Sequence, residues 1–297
     1  MNEYDLAVPM SAIKTNWKEY FDNDCKGEDL WGYYETAGGE LYVVMDGASG
    51  HEDAKTGADV VRFIDNVLSE SAPHLQNYRE LRNLVYGINT VSSKINFGAY
   101  AAIAGVLIND DNIFGFSAGD VAIIGKKANG KLIQVLPLDL NMTREEAEYV
   151  AKSEIGKVVH GIEITKDNID KRVHQLMHHG LSNAIGIGDT FELHEKVFSA
   201  REKSALFIAT DGITDPFIRS QKEAGRIPEE GASKLYEVIN ACENAEAAAK
   251  SLEEMIWNTQ VKDKIKIKQD DRTGIFIYMD APVKEYKKWI SDLFEHA

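Results

Sequence analysis

Two kinds of hydrophobic spacing alternate along the chain. Short runs rich in Val, Ile, Leu, Phe and Tyr recur at 41–45, 101–108, 112–116, 121–125, 132–136, 205–209 and 274–279. Each is bounded by Gly, Asp, Asn or Lys, as strands are. The four runs from 101 to 136 are separated by polar gaps of three to six residues. Gaps that short make hairpins, so this stretch predicts an antiparallel meander. Between the strand groups the period becomes helical. Ala58, Val61, Ile64 and Leu68 fall on one helix face, as do Leu81, Leu84, Val85, Ile88 and Val91. Thr143-Arg-Glu-Glu146 has the form of a capping box and predicts a helix start. Residues 235–257 read as one or two helices, and 282–294, behind Pro282, as an amphipathic closing helix. The segment 140–187 is polar and irregular, and reads as a flap or inserted subdomain. Helices mixed with antiparallel strands, without strict βαβ alternation, give an α+β layered fold.

The chain has 297 residues and no fixed-period repeat, low-complexity tract or Ser/Gly linker, so one domain over 1–297 is expected. Its net charge of −15 argues against a general binder of nucleic-acid backbones and against adhesion to an anionic membrane. Two cysteines, Cys25 and Cys242, are too few for a disulfide framework or a thiolate zinc site, which fits a reducing cytoplasm. The acidic start Met-Asn-Glu-Tyr-Asp carries no apolar signal-peptide region. The longest nearly apolar run, 97–108, is well short of the ~20 residues of a membrane span.

Single acids sit where strands begin and end. The run 41–45 leads into Asp46-Gly47, and 205–209 leads through Thr210 into Asp211-Gly212. Asp270-Asp271-Arg272-Thr273 precedes 274–279. With the third strand antiparallel to its neighbours, all three acids share one rim. Converging carboxylates repel unless something neutralises them. A divalent cation does so, and an all-oxygen donor set favours Mg²⁺ or Mn²⁺ over zinc. Asp-Gly also marks ordinary turns. Two that each end an apolar run, with a third acid opening another, favour a site.

These residues resemble the metal-dependent protein phosphatase family, also called protein phosphatase 2C. Gly27-Glu28-Asp29-Leu30 resembles its Asn-Glu-Asp motif, and Asp46-Gly-Ala-Ser-Gly-His51 its Asp-Gly-x-Gly-Gly-His motif. Phe97-Gly-Ala-Tyr-Ala-Ala is similar to the Gly-Thr-Thr-Ala strand start, and Ser117-Ala-Gly-Asp120-Val-Ala to Gly-Asp-Ser-Arg. Thr210-Asp211-Gly-Ile-Thr-Asp215 resembles Asp-Gly-Leu-x-Asp, and Asp270-Asp-Arg-Thr273 resembles Asp-Asn-x-Thr. The order is the family's, from residue 28 to 273.

The resemblance implies a four-layer α-β-β-α sandwich of two mainly antiparallel sheets. It implies a serine/threonine protein phosphatase that uses a metal-bridged hydroxide on phosphorylated protein substrates, with two Mn²⁺ or Mg²⁺ ions. Asp46 would bridge them, the Gly47 carbonyl would ligate the second, and Asp211 and Asp270 the first. Glu28 and Asp29 would hold metal-bound waters, and Asp120 and Asp215 fall where bacterial members add a third, weaker ion. His51 is a candidate general acid for the leaving alkoxide, although eukaryotic members carry their His directly after Asp-Gly, where this chain has Ala48. The alternative for His51 is a surface residue at a helix start.

The family's phosphate-binding Arg, five or six residues before the motif acid, is replaced by Asp24 or Asn23, leaving Lys26, Lys18 or Lys14 as candidate substitutes, Lys26 the nearest. A lysine lacks the bidentate fork of Arg. The missing Arg and the altered Gly98-Ala99-Tyr100 keep a second reading open, a non-catalytic regulatory or binding module of the same fold. His174, His178 and His179 have helical spacing but no accompanying acid or Cys pattern, and read as solvated flap residues. Lys262, Lys264, Lys266 and Lys268 read as a charged edge strand or as a basic lip for acidic substrates.

Overall fold

The computed structural model describes residues 28–49, 56–95, 98–109, 112–127, 130–139, 144–159, 162–179, 181–199, 203–218 and 273–278, with single positions between 235 and 255. Two antiparallel sheets form its centre. The first holds β1 (Asp29–Thr36), β2 (Gly39–Ser49), β3 (Ala99–Ile108), β4 (Asn112–Ala118) and β9 (His194–Ser199), in the order β1-β2-β3-β4-β9. The second holds β5 (Ala122–Lys127), β6 (Leu132–Gln134), β10 (Lys203–Ala209) and β11 (Gly274–Tyr278), in the order β11-β10-β5-β6.

The layers follow from strand alternation. Tyr42 and Val44 of β2 pack with Ala102, Ala104 and Val106 of β3 against Leu206, Ile208, Ile275 and Ile277 of the second sheet, forming the inter-sheet core. The intervening residues Leu41, Val43 and Met45 face the other way. They pack on helices α1 (Gly57–Ser71) and α2 (Tyr78–Ile95) through Val61, Ile64, Leu68, Leu81, Val85 and Ile88. Both helices lie where the apolar spacing puts them. The outer face of the second sheet is equally dry, with Phe207 and Phe276 stacked at 4.0 Å and both fully buried. It needs a helical cover. Helix α5 (Asp211–Ile218) and helical positions between 235 and 255, with Leu235, Val238, Ala248 and Leu252 buried, supply apolar side chains for one. The result is the expected α-β-β-α sandwich.

The expected meander is corrected. The hairpin β3–β4 lies in the first sheet and the hairpin β5–β6 in the second, so 119–121 is a crossing between sheets. Gly119 makes it. Its φ is +99°, and a Cβ there would stand 2.4 Å from the Cβ of Ala102. Only glycine adopts that backbone in that space.

The segment read as polar and irregular contains α3 (Arg144–Ser153), a two-stranded ribbon of β7 (Val158–Val159) and β8 (Ile162–Glu163), and α4 (Ile169–His179). Ala147, Ala151, Val173 and Leu176 form its own small core. Arg172 clasps Glu154 through two bonds of 2.7 and 2.9 Å. His174 is exposed on α4, in keeping with a solvated residue. The lysines at 262–268 and the helix expected at 282–294 lie outside the described residues, as do the side chains of His178 and His179.

Candidate metal centre at the sandwich rim

Strand registers bring Asp29, Asp46, Asp120 and Asp211 to one end of the sandwich. Asp29 opens β1 directly opposite Asp46 of β2. Asp46 faces Ala102 on its other side, and Gly119 packs on Ala102, so the turn carrying Asp120 lies beside the Asp46 rung. In the second sheet Ala122 pairs with Ala209 and Ala209 with Gly274. The end of β10, the start of β5 and the start of β11 therefore share a rim. Thr210 joins this rim to the first: its hydroxyl donates to Asp29 Oδ2 at 3.0 Å. Thr210 Oγ1 in turn accepts the Thr273 N–H at 3.0 Å, and the Thr210 N–H donates to the Thr273 carbonyl at 2.9 Å.

Side-chain direction follows from parity. Asp46 is in phase with Tyr42 and Val44, and Asp29 with Trp31, all on the face of the first sheet turned to the second. Like charges directly opposite one another on antiparallel strands repel. Asp29, Asp120 and Asp211 are all buried, at 6%, 9% and 5% exposure, where a carboxylate is costly unless hydrogen bonds or positive charge offset its burial. Asp211 opens α5, and Asp215 lies four residues further along it.

Glu28 is tied down by the backbone. Its carboxylate accepts the Gly57 N–H at 3.0 Å, at the first turn of α1, and also the Ser49 hydroxyl. Its carbonyl accepts the Gly47 N–H at 3.1 Å. A carboxylate at a helix N-terminus is electrostatically favoured. Gly47 and Gly57 touch through their backbones, and a Cβ on Gly47 would lie 2.5 Å from the Gly57 carbonyl carbon. Glycine at both positions lets α1 dock against the end of β2, with the Asp59 carboxylate accepting the Thr56 N–H at 2.9 Å to cap it.

Among the described residues no three His, Cys, Asp or Glu side chains form a metal-holding group. Asp270, His51 and Lys26 lie outside the described residues. Thr273, three positions after Asp270, stands at the same rim, and its Oγ1 is buried with no hydrogen-bond partner among the described residues. The candidate donors along this rim are all oxygens: Glu28, Asp29, Asp46, Asp120, Asp211 and the Gly47 carbonyl. Their chemistry and the buried Thr273 hydroxyl fit a hard divalent cation.

Several rim residues carry no sequence signal of their own. Asp139 accepts from the Gly119 N–H and from Asn183 Nδ2, both at 2.9 Å, and pairs with His194 Nε2 at 2.7 Å. The Asp139–His194 pair spans 55 residues, so no local spacing reveals it. Ser49 lies inside the motif around Asp46, yet its link to Glu28 appears only in the fold. Tyr100, 40% exposed and on the Asp46 face of β3, has its phenol pKa pushed up by burial and then by Glu154.

A sequence model of the family described as protein phosphatase 2C matches residues 21–256. The chain belongs to the protein phosphatase 2C family. A search of curated protein sequences finds no match. Solved structures agree on the fold. Serine/threonine phosphatase Stp1 from Staphylococcus aureus aligns with a TM-score of 0.61 at 14% identity, over 94% of this chain and 96% of that one. The S. agalactiae serine/threonine phosphatase aligns at 0.58 and 15% identity, over 87% and 95%. The Mycobacterium tuberculosis serine/threonine phosphatase PstP/Ppp aligns at 0.56 and 14% identity, over 94% and 97%. At such identities the likeness is one of fold. Among the described residues of this family member, no helix is long and apolar enough to cross a membrane.

Proposed function

We propose that this protein is a Mn²⁺- or Mg²⁺-dependent phosphatase of phosphoserine and phosphothreonine in cytoplasmic proteins. The observation that carries the reading is the Thr210–Asp29 bond, which ties the end of β10, next to Asp211, to Asp29 of the first sheet in a protein phosphatase 2C fold. Asp46, the Gly47 carbonyl, Asp211 and Asp270 would hold two ions, with Glu28 and Asp29 ordering their water ligands, and Asp120 and Asp215 a weaker third. Bound ions supply Lewis acidity, which activates water near neutral pH and neutralises phosphoryl charge.

The chain's own residues prepare that chemistry. Thr210 orients Asp29, and the Gly57 amide and Ser49 hydroxyl hold Glu28. Burial of Asp29, Asp120 and Asp211 keeps them from rearranging in solvent. Lys26 would meet the substrate phosphate. His51 would give a proton to the leaving alkoxide. No side chain needs to be phosphorylated.

The missing Arg before Asp29 favours, as a second reading, a regulatory module that keeps the fold. Hydrolysis of p-nitrophenyl phosphate across a Mn²⁺ titration decides between the two. Wild type should turn over only with metal. Asp46→Asn should lose at least ~10²-fold in turnover, about 2.7 kcal/mol of barrier. Asp271→Asn, at the family's Asn position, should lose little. No turnover by wild type, or equal damage from the two variants, would overturn the assignment. A phosphopeptide panel separates a protein substrate from a small phosphomonoester.

A further inference from the structure

Asp139 grips the sheet-crossing turn from both sides of Gly119. Its Oδ2 accepts the Gly119 N–H, and its own N–H donates to the Gly119 carbonyl, both at 2.9 Å. That carbonyl belongs to the peptide bond leading into Asp120. Asp139 is in turn held by two residues. Asn183 Nδ2 bonds Asp139 Oδ2 at 2.9 Å and the Glu192 carbonyl at 2.6 Å, and Asn183 Oδ1 accepts the Glu192 N–H at 3.2 Å. His194 Nε2 meets Asp139 Oδ1 at 2.7 Å. His194 lies directly opposite Ser117 in the β4–β9 ladder, so it is anchored beside the same turn.

We propose that Asp139, Asn183 and His194 form a clamp that positions Asp120 toward a divalent cation, a role that rests on the metal-dependent reading above. The turn needs one. Gly119 stands at φ +99° and is conformationally the freest residue type, so the turn would sample other backbones without external bonds. Bonds on both sides of Gly119 remove that freedom. Asn183 is 5% exposed, and the side chains of Asp139 and His194 are 14% and 22% exposed, so water competes poorly for these bonds. The clamp residues touch no substrate. They act through Asp120.

The test uses the full chain and two readouts. Hydrogen exchange of peptides covering 117–122, in metal-free protein, reports the turn. Mn²⁺ calorimetry reports the ions. His194→Ala and Asn183→Ala should speed exchange in 117–122 and weaken the weakest Mn²⁺ by about 10-fold or more, the scale seen when a ligand loses its orienting partner. The tighter ions should keep their affinity. His194→Gln, which retains a donor, should recover part of both effects. Unchanged exchange, unchanged Mn²⁺ affinity despite faster exchange, or equal weakening of every ion would each overturn the clamp. Wild type that binds no Mn²⁺ would overturn the metal reading itself, and the positioning role with it.

Discussion

Thr210 donates its hydroxyl to Asp29 across the two sheets at 3.0 Å, and both residues are buried. The bond closes the rim of the sandwich at the point where the acids collect. Thr210 Oγ1 also accepts the Thr273 N–H, so one atom ties β1, β10 and β11 together. Thr210→Val keeps the shape and removes both bonds. It leaves a buried carboxylate oxygen and a buried amide without this partner, and should cost about 3 kcal/mol. In metal-free thermal melts that is a drop of about 5–10 °C. Thr210→Ser keeps the oxygen and should lose far less. A larger loss for Thr210→Ser than for Thr210→Val would mean that the methyl, not the hydroxyl, holds the rim.

How much of this was legible depended on whether the cause was local. Helices α1 and α2 follow directly from apolar spacing, because a helix buries a stripe whose period is written in the chain. The buried strands were legible as apolar runs. Strand β1 was not, because Trp31 and Tyr33 alternate with Leu30, Gly32 and Tyr34 without a clean polar face, and Tyr33 stays 43% exposed. Strand β9 is an edge strand whose Val197 is 50% exposed, so it lacks the apolar run that marks a strand. The β4–β5 gap has the length of a hairpin. Gly119, at φ +99° and closed against Ala102, turns it into a crossing that the spacing does not encode. The acids were legible because they punctuate strands. Their supports, Thr210 to Asp29 and Asp139 to His194, join residues 181 and 55 positions apart, which no local pattern encodes.

Gly119→Ala tests the crossing itself. Its φ of +99° is costly for any residue with a Cβ, and the new methyl would stand 2.4 Å from the Ala102 Cβ and 2.9 Å from its Cα. Backbone strain of ~1–2 kcal/mol and overpacking of ~1–3 kcal/mol add to a loss of about 3 kcal/mol. Urea denaturation should show a lower midpoint at unchanged slope. A midpoint equal to wild type would mean that the turn has another low-energy form.

Arg172 and Glu154 test whether the α3–α4 segment keeps its own stability. Their side chains are only 11% and 13% exposed, so removing one partner strands a poorly solvated charge. Arg172→Met should cost about 3–5 kcal/mol locally, whereas Arg172→Met with Glu154→Leu should be close to neutral. Hydrogen exchange should accelerate in α3 and α4 in the single variant, stay unchanged in α1, and return toward wild type in the double variant. Faster exchange in α1 as well would show that the segment unfolds together with the sandwich.

Tyr34 sets an alkaline limit on stability. Its hydroxyl donates to Asp65 at 2.6 Å, joining β1 to α1, and its ring is 7% exposed. Burial, and then the bond to Asp65, push its pKa far above the ordinary phenol value. Above pH ~10 an unfolded Tyr34 loses its proton while the folded one keeps it. Unfolding then releases a proton, so stability falls as pH rises, at about 1.4 kcal/mol per pH unit for this group. Below pH ~10 both states are protonated and the contribution is constant. Tyr34→Phe should therefore be less stable by about 2 kcal/mol at pH 8, having lost a bond to a charged acceptor. It should also lose less stability between pH 10 and pH 11, so the two curves converge. Tyr33 and Tyr100 have raised pKa values as well, but both remain in the variant, and the difference between the curves isolates Tyr34. Thermal melts of both proteins from pH 8 to 11 make the comparison, and parallel curves would show that Tyr34 does not carry the alkaline loss.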